Sequence, residues 1–104
     1  MTLSKLIVPF VLIFNIHTGQ TEAECSFNNH RLYGRVQVVD SFPDLKVQVV
    51  NAFPDLKVKV VDSNPSTCGE WKMVSNFPDI KIQFVTSFPD LKIQYVESFP
   101  GLTK

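Results

Sequence analysis

The chain has 104 residues, with ten basic side chains against ten acidic ones, no net charge, and nine phenylalanines among a 44% hydrophobic content. That length allows one small domain. A neutral chain without a basic cluster lacks the electrostatic footprint of a nucleic-acid binder, so no nucleic-acid partner is expected.

In chain order, the first element is an apolar run. Lys5 precedes residues 6–14, all of them apolar, and small or polar residues follow up to Ala23. The run is too short to span a bilayer as a helix of about 20 residues. A lysine, an apolar stretch and then small residues is the layout of a secretory signal peptide. Residues 1–23 are therefore predicted to form an N-terminal signal helix that is removed after Ala23, the alternative being a retained N-terminal anchor. No second apolar segment follows, so no membrane span is expected after cleavage.

Residues 24–35 form a lead-in that contains Cys25, and the other cysteine is Cys68. In an exported chain a lone pair of cysteines reads as one disulfide, Cys25–Cys68. Closing so long a loop stabilises by about 4 kcal/mol on the chain-entropy estimate. A metal centre needs three or four ligands, and His30 is the single histidine beyond residue 23. No metal and no cofactor are predicted.

From residue 36 to 104 one phrase recurs, Val-Gln-Val-Val-Asp-Ser-Phe-Pro-Asp-Leu-Lys at 36–46. Pro43, Pro54, Pro65, Pro78, Pro89 and Pro100 follow one another at intervals of 11, 11, 13, 11 and 11 residues. Repetition at a fixed period means that each copy is one structural unit which buries its apolar face against its neighbours. Six copies begin at Val36, Val47, Val58, Met73, Ile82 and Ile93. Within a copy, Leu45, Val47 and Val49 alternate with Lys46 and Gln48, the period of a half-buried strand, and valine, isoleucine and aromatic residues suit the pleated surface.

The phrase Ser-Phe-Pro-Asp reads as a turn, because proline presets the backbone and aspartate accepts the next turn position. Proline also ends the strand. The phenylalanine before each proline is expected to plug the core at a corner. Between Pro65 and Pro78 the beat breaks at Ser66-Thr67-Cys68-Gly69, and Trp71 falls where other copies carry Leu45 or Leu91. The break leaves two halves of three copies each. No segment after residue 23 carries an apolar stripe at helical spacing. The prediction is an all-β, compact single domain of short strands whose sheet wraps on itself and leaves few free edges.

Few side chains offer chemistry. Asp44, Asp55, Asp79 and Asp90 recur after proline, and a ring of carboxylates could hold calcium. The plainer reading, that each serves its own turn, is preferred. Cys25 with His30 has the composition of a nucleophile and base but lacks a third, orienting group, so no catalytic residue is assigned. Trp71, Tyr95 and Tyr33 are aromatic candidates for stacking a ligand, with Trp71 expected in the core. The row of Gln37, Gln48, Lys59, Gln83 and Gln94 is expected to be a solvated face.

The tandem units, together with Cys68-Gly69-Glu70-Trp71 and the lead-in Leu32-Tyr33-Gly34-Arg35, resemble small bacterial proteins named for their fold as septoil-knot domain proteins. The resemblance spans about 25–104. It implies a wrapped β structure whose backbone is deeply knotted as a seven-crossing torus knot, a topology to which general chain-path rules give almost no weight. It implies no activity and no catalytic residues. The resulting expectation is a secreted or periplasmic, monomeric, non-enzymatic binding or structural module whose partner is a protein or glycan. The alternatives are a secreted effector or inhibitor in bacterial competition, or a small hydrolase.

Overall fold

The structure, a computed structural model, describes residues 25–103. The signal-helix expectation for 1–23 lies outside them. The described residues form nine strands and no helix, and none of them forms a helix long and apolar enough to cross a membrane.

The chain opens with a small hairpin, β1 (Ser26–Phe27) and β2 (His30–Arg31), paired antiparallel. Its two loop residues, Asn28 and Asn29, have φ of 51° and 67°. Such two-residue loops with positive φ match the twist of the strands they join, and asparagine accepts them more readily than most residues.

Six strands then build the body: β3 (Gly34–Val38), β4 (Leu45–Val49), β5 (Leu56–Val60), β6 (Glu70–Met73), β7 (Ile80–Phe84) and β8 (Leu91–Tyr95). They close into a parallel barrel in the order β3-β7-β4-β8-β5-β6 and back to β3. Closure removes the exposed edges that an open sheet of such sticky segments would present. The first three strands occupy alternate places round the barrel, and the second three fill the gaps.

The register is the same at every interface. Val36 pairs with Ile80, Ile82 with Leu45, Val47 with Leu91, Ile93 with Leu56, and Trp71 with Gly34. The second inward residue of each strand thus faces the first inward residue of the next. Equivalent residues consequently recur at one level round the barrel, as the stagger of a closed sheet requires. One inward ring is Gly34, Leu45, Leu56, Gly69, Ile80 and Leu91, and the next is Val36, Val47, Val58, Trp71, Ile82 and Ile93. All twelve are buried.

This register corrects the expected place of Trp71. The indole stands at the second inward level, with Val47 and Ile82, and Gly69 takes the level of Leu45. Trp71 has Gly34 opposite it and Gly69 two residues before it, and these glycines admit close neighbours of their own, since a Cβ would meet the Asp79 side chain at Gly34 and the Lys57 carbonyl at Gly69. The Trp71 Nε1 donates to the carbonyl of Leu32 at 3.1 Å, which satisfies the one polar atom the indole buries.

Parallel neighbours normally need a crossover of a dozen or more residues. Here six suffice, because of the stagger. Val38 and Leu45 lie level with Ile82 on its two sides, so residues 39–44 only step across β7. Segments 50–55, 74–79 and 85–90 likewise step across β8, β3 and β4. The last bridge crosses β5 and leads into β9 (Gly101–Leu102), which pairs antiparallel with β5. The seam at 61–69 is different, since β5 and β6 are direct neighbours and no strand is crossed. A two-place step there would put β6 in the place of β3. The one-place step sets the second circuit of strands into the gaps of the first.

The two ends of the barrel differ. At one end Cys25, Leu32, Phe27, Cys68 and Leu102 pack against the core, and the Cys25–Cys68 disulfide, with Cα atoms 5.8 Å apart, ties the hairpin to the seam. At the other end Val38, Val49, Val60, Met73, Phe84 and Tyr95 follow the second ring on the inward face but remain 39–48% exposed. Partial burial there raises the pKa of the Tyr95 phenol.

Candidate functional site

The five crossing bridges account for nearly every residue of the repeated phrase. Each is anchored to the strand beneath it. In the bridge 39–44, Val39 N donates to Ile82 O and Asp44 N donates to Lys81 O, both at 2.8 Å. The amide of Lys81 donates in return to Asp44 Oδ2 at 2.8 Å, and Gln83 Nε2 donates to Asp40 O at 3.0 Å.

The same clasp recurs along the chain. Asp55 Oδ2 accepts from Lys92 N at 2.9 Å, and Asp79 and Asp90 accept from Arg35 N and Lys46 N at 2.8 Å. Gln37, Gln48 and Gln94 donate to the carbonyls of Ser75, Thr86 and Asn51. Two expectations change accordingly. The aspartates do not serve their own turns but pin each bridge to a strand 37 or 44 residues away. The glutamines are not a merely solvated row, because each clasps a bridge.

Two carboxylates have pKa values below the ordinary carboxylate range. For Asp79 the main cause is the Arg35 amide, opposed by partial burial and reinforced by the Arg31 and Arg35 guanidinium groups, which lie 3.2 and 3.8 Å away. For Glu70, beside the seam, the Ser66 amide is the main cause, with Glu70 Oε1 accepting from Ser66 N at 3.0 Å.

One residue of the phrase remains without a structural task. Phe42, Phe53, Phe77, Phe88 and Phe99 sit at the crests of the bridges, 80–93% exposed. The expectation that they plug the core is wrong. The two inward rings already fill the barrel, and the bridges pass over the outside of the strands. All five have φ between 54° and 58°, the left-handed region that is an outlier for a bulky residue. Holding such a residue there costs on the order of 1–2 kcal/mol, with almost no burial in return. Glycine or asparagine would meet the same backbone need at lower cost. The seam, which crosses no strand, has Asn64 in the corresponding place, and there φ is not positive. Because equivalent positions share one level, the five side chains form a girdle round the barrel. The sequence signal for this surface is the aromatic before each proline, which points outward and not into the core.

The other candidate groups do not converge. Cys25 is bonded to Cys68, and His30 stands in β2 opposite Phe27. Trp71 is buried, Tyr95 belongs to the open mouth, and Tyr33 carries the Arg31 guanidinium 5.1 Å above its ring. Among the described residues, no three of the His, Cys, Asp and Glu side chains come together as a metal site.

An uncharacterised protein of Synechocystis sp. is 59% identical over 66 residues, a match that covers 60% of this chain and 59% of that relative. The matched part is thus less than two thirds of the relative's own length. Residues 29–103, which hold the whole barrel and its five bridges, match the family described as the 7(1) septoil knot domain. The chain belongs to that family.

Proposed function

We propose that this protein is an exported, non-enzymatic binding module whose contact surface is the girdle of five phenylalanines. The observation that carries the reading is the pairing of strain with exposure at Phe42, Phe53, Phe77, Phe88 and Phe99. An aromatic whose backbone is already held by the clasps on either side loses no backbone freedom on contact, and aromatic anchors dominate interfaces. Phenylalanine has no hydrogen-bonding tip, so the matching surface is apolar, and a protein partner is favoured over a glycan. Export is supported by the layout of residues 1–23 and by the disulfide, which persists in oxidising compartments.

The test is capture from an envelope extract with two baits, the natural protein and a variant carrying Phe→Asn at all five crests. Partners held by the natural protein and lost by an equally folded variant support the reading. Partners held equally by both refute it. Intact mass of the envelope-derived protein reports export, with a start near Glu24 expected and a full-length cytoplasmic species against it.

The same reading includes a knotted chain path, supported by family membership and by the five bridges that cross outside their strands. A threaded chain built from distant pairings refolds slowly. Trp71 fluorescence after dilution from denaturant follows it, and complete refolding within milliseconds would count against a deep knot.

A further inference from the structure

A cavity of about 470 Å³ opens at the stapled end of the barrel, away from the mouth ring. Its walls are Phe27 from the hairpin, Leu32, Leu91 of the first inward ring, and Leu102 of β9. Ser26, Asp55 and Asp90 also line it. The volume falls in the range of pockets for small organic ligands, which are mostly apolar with a few placed polar groups.

The two carboxylates give the cavity its character. Each spends Oδ2 on a backbone amide, from Lys92 for Asp55 and from Lys46 for Asp90. Among the described residues, Oδ1 of each accepts no hydrogen bond, and neither carboxylate forms an ion pair. The contrast with Asp79 is informative. It occupies the same place in the repeat, yet it is held by Arg31 and Arg35. Among the described residues that line the cavity, none is an arginine or a lysine. Two carboxylates therefore stand at the edge of an apolar space, and among the described residues neither is paired with a cation.

We infer that this cavity is a binding site for a small organic cation, a primary ammonium carried on an apolar alkyl or aryl body. The ammonium donates to a carboxylate oxygen of Asp55 or Asp90, a charge-assisted contact stronger than a neutral hydrogen bond. The body displaces water from Phe27, Leu32, Leu91 and Leu102. Neither an anion nor an uncharged ligand of the same shape answers both features. The site lies apart from the phenylalanine crests and does not depend on their role.

The test is an NMR titration of the disulfide-bonded protein with three probes of one size: hexylammonium, hexanol and hexanoate. Hexylammonium is expected to shift the signals of Phe27, Leu32, Leu91 and Leu102 saturably. Its affinity should exceed that of hexanol by about tenfold or more, and hexanoate should cause no saturable shift. The double variant Asp55→Asn, Asp90→Asn keeps an acceptor oxygen for the Lys92 and Lys46 amides, so the rest of the spectrum stays in place. In it, hexylammonium should bind no better than hexanol. Equal affinity for alcohol and ammonium in the natural protein, no saturable shift at these residues, or undiminished ammonium binding in the double variant would each overturn the assignment. So would a lysine-rich peptide that binds there more tightly than hexylammonium, since the ligand would then be a protein side chain.

Discussion

Replacing Phe53 by asparagine should stabilise the protein, an unusual outcome for the loss of a large aromatic. Phe53 is 93% exposed and has a φ of 56°. A phenylalanine buries about 150–250 Å² when fully enclosed. The small remainder that Phe53 buries is on the order of 10–20 Å², or about 0.5 kcal/mol at most at 25 cal/mol per Å². Against that loss stands relief of the left-handed backbone, about 1–2 kcal/mol for a bulky residue and much less for asparagine, which visits that region readily. The net gain is about 1 kcal/mol, a rise in Tm of about 4–8 °C for a domain of this size. Phe53→Gly should gain less, because glycine adds freedom to the unfolded chain. The five crests sit on separate bridges, so their gains should add. Equilibrium denaturation followed by Trp71 fluorescence measures it, each sample being held until folding and unfolding curves coincide. A loss of about 1 kcal/mol or more in Phe53→Asn would show that the ring packs against something and would refute the reasoning from strain.

Three further outcomes are expected. Gly69→Ala should destabilise by more than about 2 kcal/mol, since a Cβ there meets the Lys57 carbonyl and lies 2.7 Å from Gly101 N, at a φ of +87°; a thermal melt near that of the natural protein would contradict the close approach of seam and C-terminal strand. Cys68→Ser should lower stability by about 4 kcal/mol on the loop-entropy estimate while the barrel still folds, which chemical denaturation of the two forms compares. The third concerns pH. Asp79 and Glu70 have depressed pKa values in the folded protein, so their stabilisation is fully present above the ordinary carboxylate range and is lost as pH falls through it toward the folded values. Asp79→Asn should flatten the acid limb of a stability-versus-pH curve, and an unchanged limb would show that neither the Arg35 amide nor the Arg31 and Arg35 guanidinium groups favour the ionised carboxylate.

Much of the fold was written into the repeat. Alternation of Leu45, Lys46, Val47, Gln48 and Val49 fixes which side of the strand is buried, because only one face of a pleated strand can meet the core. Proline at each interval ends the strand, and the two cysteines specify the staple. These are local properties, and local chemistry decides them. The alternation cannot say where a strand sits in the sheet. Six near-identical strands pair equally well in several orders, so the interleaving of β3, β4 and β5 with β6, β7 and β8 came only with the tertiary structure. The single step at the seam, set by residues 61–69, selects it.

The direction of the phenylalanines was also beyond the sequence. An aromatic beside a proline reads as buried until the bridge is known to pass outside the strand it crosses. The tasks of the aspartates and glutamines are hidden from the sequence for the same reason, since their partners lie about forty residues away in the chain. Residue types determined that this protein is a set of short strands joined by turns. The tertiary structure decided that the turns are crossings, because only a closed, staggered barrel brings the end of one strand level with the start of the next.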